Sequence, residues 1–367
     1  MKILWVAHRD PMNPKAGGAE RIIHEVGVRL AKSGHQLSVL ACGWKNCKKV
    51  ENLDGIQIMR YRSYVGPHLA LPVNILKNQY DIVIADLGHA IPWLSPVLLK
   101  RKTLVLFHHL HARSLQGQVG RLFAFTISAV EKLYFIIYNK SPFVTVSNTS
   151  FADLKNLGIK NENIHIINPG VNNRLFRPSM KTDYPSIGYF GGMRPYKRPE
   201  EALYLLRDLN KKVDNIKLTM IGDGPSKPGL EILCEELDLT KNVLFTGRIE
   251  IEQLSRMVAS FWLNIHSSIT EGWGISIMEA ASAGTPTVAY RVPGVSDSVE
   301  NGSNGITVEN GNRKALLDAA LTIIGDPKKW WTSSLEVAGR YSWDKTAESW
   351  EKLIKTMVCD TSNRMDM

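Results

Sequence analysis

The chain has 367 residues, 44% of them hydrophobic and 22% charged, which is the make-up of an ordinary globular protein and excludes collagen-like, disordered and disulfide-scaffold classes. At roughly 150 residues per domain the length favours about two domains. Forty-five Lys and Arg against 35 Asp and Glu leave a net charge of +10; this favours polyanionic partners (nucleic acid, phosphorylated small molecules or an anionic membrane surface) without choosing among them.

The opening residues 2–7 are followed at once by His8, Arg9 and Asp10. That apolar run is too short for a signal-peptide core and suits a first buried strand. A helix over 20–33, ended by Gly34, precedes strands at 37–41, 82–85, 103–107 and 143–146. Cys42, Cys47, Cys234 and Cys359 are spaced too widely for a C-x-x-C pair or a zinc ribbon, so they read as reduced thiols of an intracellular protein. Residues 118–140 are unusually apolar, broken by Glu131 and Lys132. They leave two readings open, a core helix or a membrane-docking face with Lys100, Arg101, Lys102, Arg113 and Arg121 nearby in sequence; a transmembrane span is not convincing.

Strands at 186–190, 217–221, 243–246, 263–266 and 287–290, with helices such as 198–212 between them, restart the alternation. Two doubly wound parallel sheets are more economical than one. Residues 168–185 carry Pro169, Gly170, Pro178 and Pro185 without apolar periodicity and read as the connection. After a break at Gly339 a helix is expected over 343–357, with 359–367 short, polar and frayed. The boundaries expected are 1–175, 176–340 and 341–367.

Gly17-Gly18-Ala19-Glu20 lies between a strand with its polar loop and a helix, where bare backbone and free amides suit a diphosphate; by itself a Gly-Gly pair there is more often a plain strand-to-helix turn. A G-x-G-x-x-G fingerprint is absent, which counts against a nicotinamide enzyme. Glu271 and Glu279 stand eight positions apart across Gly272 and Gly274, which puts Glu271 in a loop and Glu279 one or two turns into a helix. A capping carboxylate and a solvated helix face are the alternative.

The run from Glu271 to Glu279, continued by Ala280 to Ala289 and by Gly294 to Val299, resembles the E-x7-E signature region of retaining glycosyltransferases of family 4. Gly17-Gly18-Ala19-Glu20, Asn168-Pro169-Gly170-Val171, Tyr196-Lys197-Arg198-Pro199, Gly222-Asp223-Gly224-Pro225, Phe245-Thr246-Gly247-Arg248 and Tyr341-Ser342-Trp343 fall in the family's order, so the resemblance spans nearly the whole chain. It implies a GT-B fold: two Rossmann-like α/β domains of parallel sheet facing across a cleft. The nucleotide sugar would be held mainly by the C-terminal domain and the acceptor by the N-terminal one, and the last helix would return to the N-terminal domain.

Residue by residue, Glu279 resembles the carboxylate that bonds the ribose, and Glu271 the one near the transferred sugar. Backbone amides of Trp273, Gly274 and Ile275 would lie beside the donor. Lys197 resembles the cation facing the diphosphate, although Lys197 and Arg198 also read as solvated charges. The family often carries Arg immediately after the glycine of its strand-end motif. This chain has Gly192 there and Arg194 two residues on, a substitute whose placement is open. His108, in Phe107-His108-His109-Leu110-His111, resembles the active-site histidine; a metal on these three histidines is disfavoured because a strand end cannot readily aim all three at one ion.

The resemblance implies a retaining hexosyl transfer from a UDP- or GDP-sugar to a lipid-linked or polysaccharide acceptor, and the absence of a D-x-D motif from the chain adds the expectation that it is metal-independent. No cofactor or nucleic acid is expected, the nucleotide sugar being a substrate. The expected location is cytoplasmic, peripheral on the inner face of the membrane if 118–140 docks there. A non-catalytic nucleotide-sugar-binding or membrane-scaffold protein on the same fold is the alternative.

Overall fold

A computed structural model describes residues 1–89, 91–98, 103–111 and 121–363. Of the basic residues flanking the apolar segment, Lys100, Arg101, Lys102 and Arg113 lie outside the described residues, as do the side chain of Arg121 and residues 118–120 of the segment itself. The described residues form two compact units: 1–111 and 121–169 together with 343–363, and 170–342.

The first unit runs β1 (Lys2–Val6), α1 (Gly18–Lys32), β2 (Gln36–Cys42), β3 (Val50–Leu53), β4 (Ile56–Tyr61), α2 (Gly66–Asn78), β5 (Ile82–Asp86), α3 (Ser95–Leu98), β6 (Thr103–Phe107), α4 (Arg121–Tyr138), β7 (Phe143–Thr145), α5 (Asn148–Asn156) and β8 (Ile164–Ile166). Its sheet has the order β3-β4-β2-β1-β5-β6-β7-β8, parallel except where β3 pairs antiparallel with β4. Strands β1, β5 and β6 are apolar nearly throughout because helices cover both faces of such a sheet. Leu4, Val6, Val83, Val105 and Phe107 pack with Tyr134 and Tyr138 of α4 in one core. Helix α1 buries Ile22, Ile23, Val26 and Leu30, the spacing of a single helical face, and stops at Gly34, whose φ of +85° suits glycine.

Sequence reading missed β3, β4 and β8. The first two are short and half polar, but Asp54 and Gly55 join them with φ of +49° and +90°, the two positive values a tight hairpin turn requires. The D-G pair was a usable signal.

The C-terminal helix Trp343–Asn363 packs in the first unit: the Trp350 ring lies 5.2 Å from that of Trp5, tilted by 33°, Asp344 accepts from Arg29 Nε at 2.6 Å, and His35 meets Glu351 at 3.0 Å. It continues through residues 359–363, part of the 359–367 tail expected to fray, because neither Gly nor Pro interrupts it after Trp343.

The second unit runs β9 (Ser186–Phe190), α6 (Glu200–Leu209), β10 (Lys217–Ile221), α7 (Lys227–Glu236), β11 (Val243–Gly247), α8 (Ile251–Ser260), β12 (Leu263–His266), α9 (Ile275–Ser282), β13 (Thr287–Tyr290), α10 (Val295–Ser298), β14 (Gly305–Val308), α11 (Arg313–Gly325) and α12 (Pro327–Ala338). Its sheet is parallel, in the order β11-β10-β9-β12-β13-β14. Helix α6 is shorter than the expected 198–212, since Arg198 takes a left-handed φ of +46° and Pro199 caps the start. The four cysteines are free thiols.

Candidate active site

In the second unit the strand order brings two loops together. Lys197 ends a 3-10 turn (Pro195–Lys197) after β9, Glu271 lies in the loop after β12, and β9 and β12 are neighbours. Lys197 Nζ donates to Glu271 Oε1 at 2.7 Å, Ser268 Oγ donates to the same oxygen at 2.7 Å, and His266 Nε2 lies 3.3 Å from it. The side chains of Lys197 and Glu271 are only 20% and 16% exposed. Burial alone would push the Glu271 carboxyl up, but the Lys197 ammonium and the His266 imidazole reverse this and hold it well below the usual carboxylate range. Burial would likewise lower Lys197, yet Glu271 leads the influences that raise it. Both groups are therefore charged at neutral pH.

The turn that carries Lys197 is clamped. Ser267 Oγ donates to the carbonyls of Lys197 and Arg198 at 2.8 and 2.7 Å, Arg198 Nε donates to Ser267 O at 2.8 Å, and its guanidinium lies 4.6 Å from the Tyr290 ring centre. Neither basic residue is thus a solvated surface charge. Arg194 caps the same turn, and its guanidinium has no hydrogen-bond or ion-pair partner among the described residues.

Gly274 caps α9 with φ of +88°, and Glu279 follows at the start of the second turn, buried. The amides of Trp273, Gly274, Ile275 and Ser276 find no acceptor among the described residues, leaving a row of donors at a helix start, where the dipole favours anions. The loop's position depends on Gly294. With φ of +77°, it brings its backbone so close to Glu271 O and Gly272 that an added Cβ would collide with both.

In the first unit, His108 directly follows β6 and Asp86 ends the neighbouring β5. His108 Nε2 lies 2.9 Å from Asp86 Oδ1; Gly88 N donates to that oxygen at 2.8 Å, and Trp5 Nε1 approaches Oδ2 at 3.4 Å. Burial works to lower the His108 pKa, but Asp86, assisted by Glu20, outweighs it and the pKa is raised. Sequence reading named His108 and missed Asp86, although an acidic residue closing an apolar strand is a visible signal.

Gly17 and Gly18 open α1 in this unit. The Gly17 amide is already taken: it donates to Glu20 Oε2 at 2.7 Å, while Glu20 Oε1 accepts from Arg9 Nε at 2.7 Å. Gly17 therefore has no free amide to offer a phosphate. His109 and His111 lie near His108, but among the described residues no group of three or more His, Cys, Asp or Glu is arranged to hold a metal ion.

Two family models match consecutive stretches: Glycosyltransferase Family 4 over residues 16–174 and Glycosyl transferases group 1 over residues 172–332. The chain belongs to glycosyltransferase family 4. The enzyme is 25% identical to an uncharacterized glycosyltransferase of Methanocaldococcus jannaschii, over 95% of this chain and 96% of the relative. It is 23% identical to the GDP-mannose-dependent alpha-(1-6)-phosphatidylinositol monomannoside mannosyltransferase of Mycolicibacterium smegmatis, over 89% and 90%. Among solved structures it resembles sucrose-phosphate synthase of Thermosynechococcus elongatus, with a TM-score of 0.84, 21% identity, and 98% and 99% of the two chains covered. It also resembles HepE of Anabaena in complex with UDP and glucose, with a TM-score of 0.75, 18% identity, and 97% and 100% covered. The two-unit glycosyltransferase thus has the GT-B fold.

Proposed function

We propose that this glycosyltransferase transfers a hexose from a nucleoside diphosphate sugar held by the second unit to an acceptor held by the first, with retention of anomeric configuration and without a metal ion. The observation that carries the reading is the charged Lys197–Glu271 pair beside the unpartnered amides of residues 273–276. Lys197, with Arg194, meets the diphosphate and stabilises the negative charge that accumulates on the departing oxygen. The amides of Trp273, Gly274 and Ile275 bind the donor's anionic part, Glu279 the ribose, and Glu271 the hydroxyls of the sugar. No protein nucleophile is required: the acceptor hydroxyl attacks the face the leaving group departs from and passes its proton to the diphosphate. Catalysis then rests on positioning and electrostatics.

The mycobacterial relative uses GDP-mannose and a phosphatidylinositol-based acceptor, and the Arabidopsis thaliana relative is a phosphatidylinositol N-acetylglucosaminyltransferase subunit. A lipid-linked acceptor is accordingly our reading here. Helix α4 supports contact with a membrane: Tyr134 and Tyr138 are buried while Phe125 and Ile136 are 73% and 61% exposed. Helix α3 packs against both α2 and α4, and α2 turns Leu69, Val73 and Leu76 outward. Among the described residues no helix is long and apolar enough to cross a membrane; the exposed face suits peripheral docking. Turnover of UDP- and GDP-sugars with an extracted lipid acceptor, in EDTA, with the product's anomeric configuration read by NMR, tests the reading. An inverted product, or activity abolished by EDTA and restored by Mg, would overturn it.

A further inference from the structure

A basic pocket of about 670 Å³ lies wholly within the first unit and is lined by Trp44, Lys45, Lys49, Arg60, Tyr61 and Arg62 among others. Residues 43–47 follow β2 and residues 61–63 close β4, so the pocket opens at the carboxyl ends of two adjacent parallel strands. Open α/β sheets bind ligands at that edge.

The floor of the pocket is rigid. Arg60 is 5% exposed. Its guanidinium donates to both Asp10 oxygens at 2.8 and 3.0 Å, to Glu51 Oε2 at 2.8 Å and to Lys48 O at 3.1 Å, and it lies 4.6 Å from the Trp44 ring centre. Lys48 Nζ also lies 3.4 Å from Glu51 Oε1, so Asp10 and Glu51 balance the charges of Arg60 and Lys48 and fix the wall that Trp44 provides. Nothing cancels the rim: Lys45, Lys49 and Arg62 are exposed, their side chains have no ion-pair or hydrogen-bond partner among the described residues, and they share the pocket with no acidic lining residue. Three uncompensated cations around one concavity focus a positive potential into it. A guanidinium fork with two ammonium groups also matches the oxygens of a phosphate ester.

We propose that this pocket binds a phosphate group of the acceptor, so that the substrate class is a phosphate-bearing sugar or polyol and not a neutral glycan. That the ligand is the acceptor rests on the glycosyltransferase reading; that it is a phosphate rests on the pocket alone. The phosphate belongs either to a lipid headgroup or to a soluble ester.

Titration calorimetry of the full-length protein with glycerol 1-phosphate, against glycerol, tests the site. Binding of the ester alone is expected, weakened about tenfold or more by Lys45→Ala, Lys49→Ala and Arg62→Ala together, as loss of charge-assisted bonds requires. The exposed Lys314, Lys328 and Lys329 changed to Ala together remove the same charge from the other unit and should leave the affinity unchanged. Sedimentation with phosphatidylglycerol vesicles separates the sources. Vesicle binding lost in the pocket variant and competed by glycerol 1-phosphate supports a headgroup; vesicle binding unchanged beside weakened ester binding supports a soluble ester. Equal ester affinity in the wild type and the pocket variant, or an equal loss in the control, overturns the proposal. Thermal shift with UDP- and GDP-sugars reads the other claim: a chain that holds the ester at this pocket but binds no nucleotide sugar sinks the glycosyltransferase reading and leaves the phosphate site standing.

Discussion

Glu271 carries two demands at once, since it is the counter-ion of Lys197 and the candidate partner of the transferred sugar. Losing a hydrogen bond to a charged group removes roughly 1.5 to 3 kcal/mol, on the order of 10 to 150-fold. For Glu271→Gln that loss should fall chiefly on turnover at saturating donor, because the sugar distorts there in the transition state. Glu279→Gln should instead weaken donor binding while turnover survives, as expected where ground state and transition state are bound alike. Donor affinity and single-turnover rates for both variants decide the assignment; a Glu271→Gln enzyme with normal turnover and poor binding would reverse it. The His108–Asp86 pair makes a prediction of opposite pH sense to most acidic pairs. With its folded pKa raised, His108 holds its proton where an unfolded imidazole, near 6.5, has lost it. The pair's contribution is complete below that value and lost as pH rises through the raised one. NMR titration of the imidazole should show Asp86→Asn lowering its midpoint, because burial then acts with less opposition.

At the scale of elements, the close approach of Gly294 to the Glu271 loop is a backbone requirement that no side chain can meet. Gly294→Ala faces both a positive φ and a collision with Glu271 O, each costing on the order of 1–3 kcal/mol. A lowered denaturation midpoint, together with weakened donor binding, is the expected result, and an unchanged midpoint would show that α10 shifts freely. The apolar faces of α2 and α4 make a separate prediction. Leu76 and Phe125 are 80% and 73% exposed, and full burial of such side chains is worth about 1.5–3 kcal/mol each. Leu76→Asp with Phe125→Asp should cut partition onto anionic vesicles by about tenfold or more while glycerol 1-phosphate binding at the basic pocket is retained. Undiminished vesicle binding would return α4 to a purely structural role.

Across the whole molecule the two units should differ in acid. In the first unit burial, aided by neighbouring cations, pushes His8 down to about 4 and His89 to about 2, and burial lowers His68 as well. His8 stacks 4.5 Å from Tyr64 and 4.6 Å from His89, and His68 stacks 4.0 Å from Trp93. Unfolded imidazoles take up protons near pH 6.5 while these folded ones do not, so the unfolded state binds more protons as pH falls from there towards 4. Stability is lost through that window. The lowered carboxylates Glu271 and Glu201 of the second unit begin to cost stability only below their ordinary value of about 4.5. Calorimetry between about pH 6.5 and 4.5 should therefore show the first unit's transition falling while the second holds, with His8→Gln flattening the slope. A slope that His8→Gln leaves unchanged would remove these rings as its cause.

What the sequence determined by itself is local. Apolar runs of strand length alternating with amphipathic helices specify two parallel sheets, since burial on both faces leaves no other pattern for such strands. Gly272 and Gly274 place Glu271 in a loop and Glu279 in a helix for reasons confined to the backbone. Strands β3, β4, β8 and β14 were not expected from the sequence, although β3, β8 and β14, at 4, 3 and 4 residues, are no shorter than β7, which was. Only the tertiary structure decided which charges meet. Lys197 and Glu271 are 74 positions apart, Asp86 and His108 are 22 apart, and Asp10 and Arg60 are 50 apart. The first two pairs form because β9 adjoins β12 and β5 adjoins β6; the third brings the loop after β1 against β4, on the other side of β2. Crossover connections set that order, and no local spacing encodes it. The same physics explains the basic pocket: its rim reads as three scattered surface cations until the fold pairs Asp10 and Glu51 with Arg60 and Lys48 and leaves Lys45, Lys49 and Arg62 without counter-charge around one concavity.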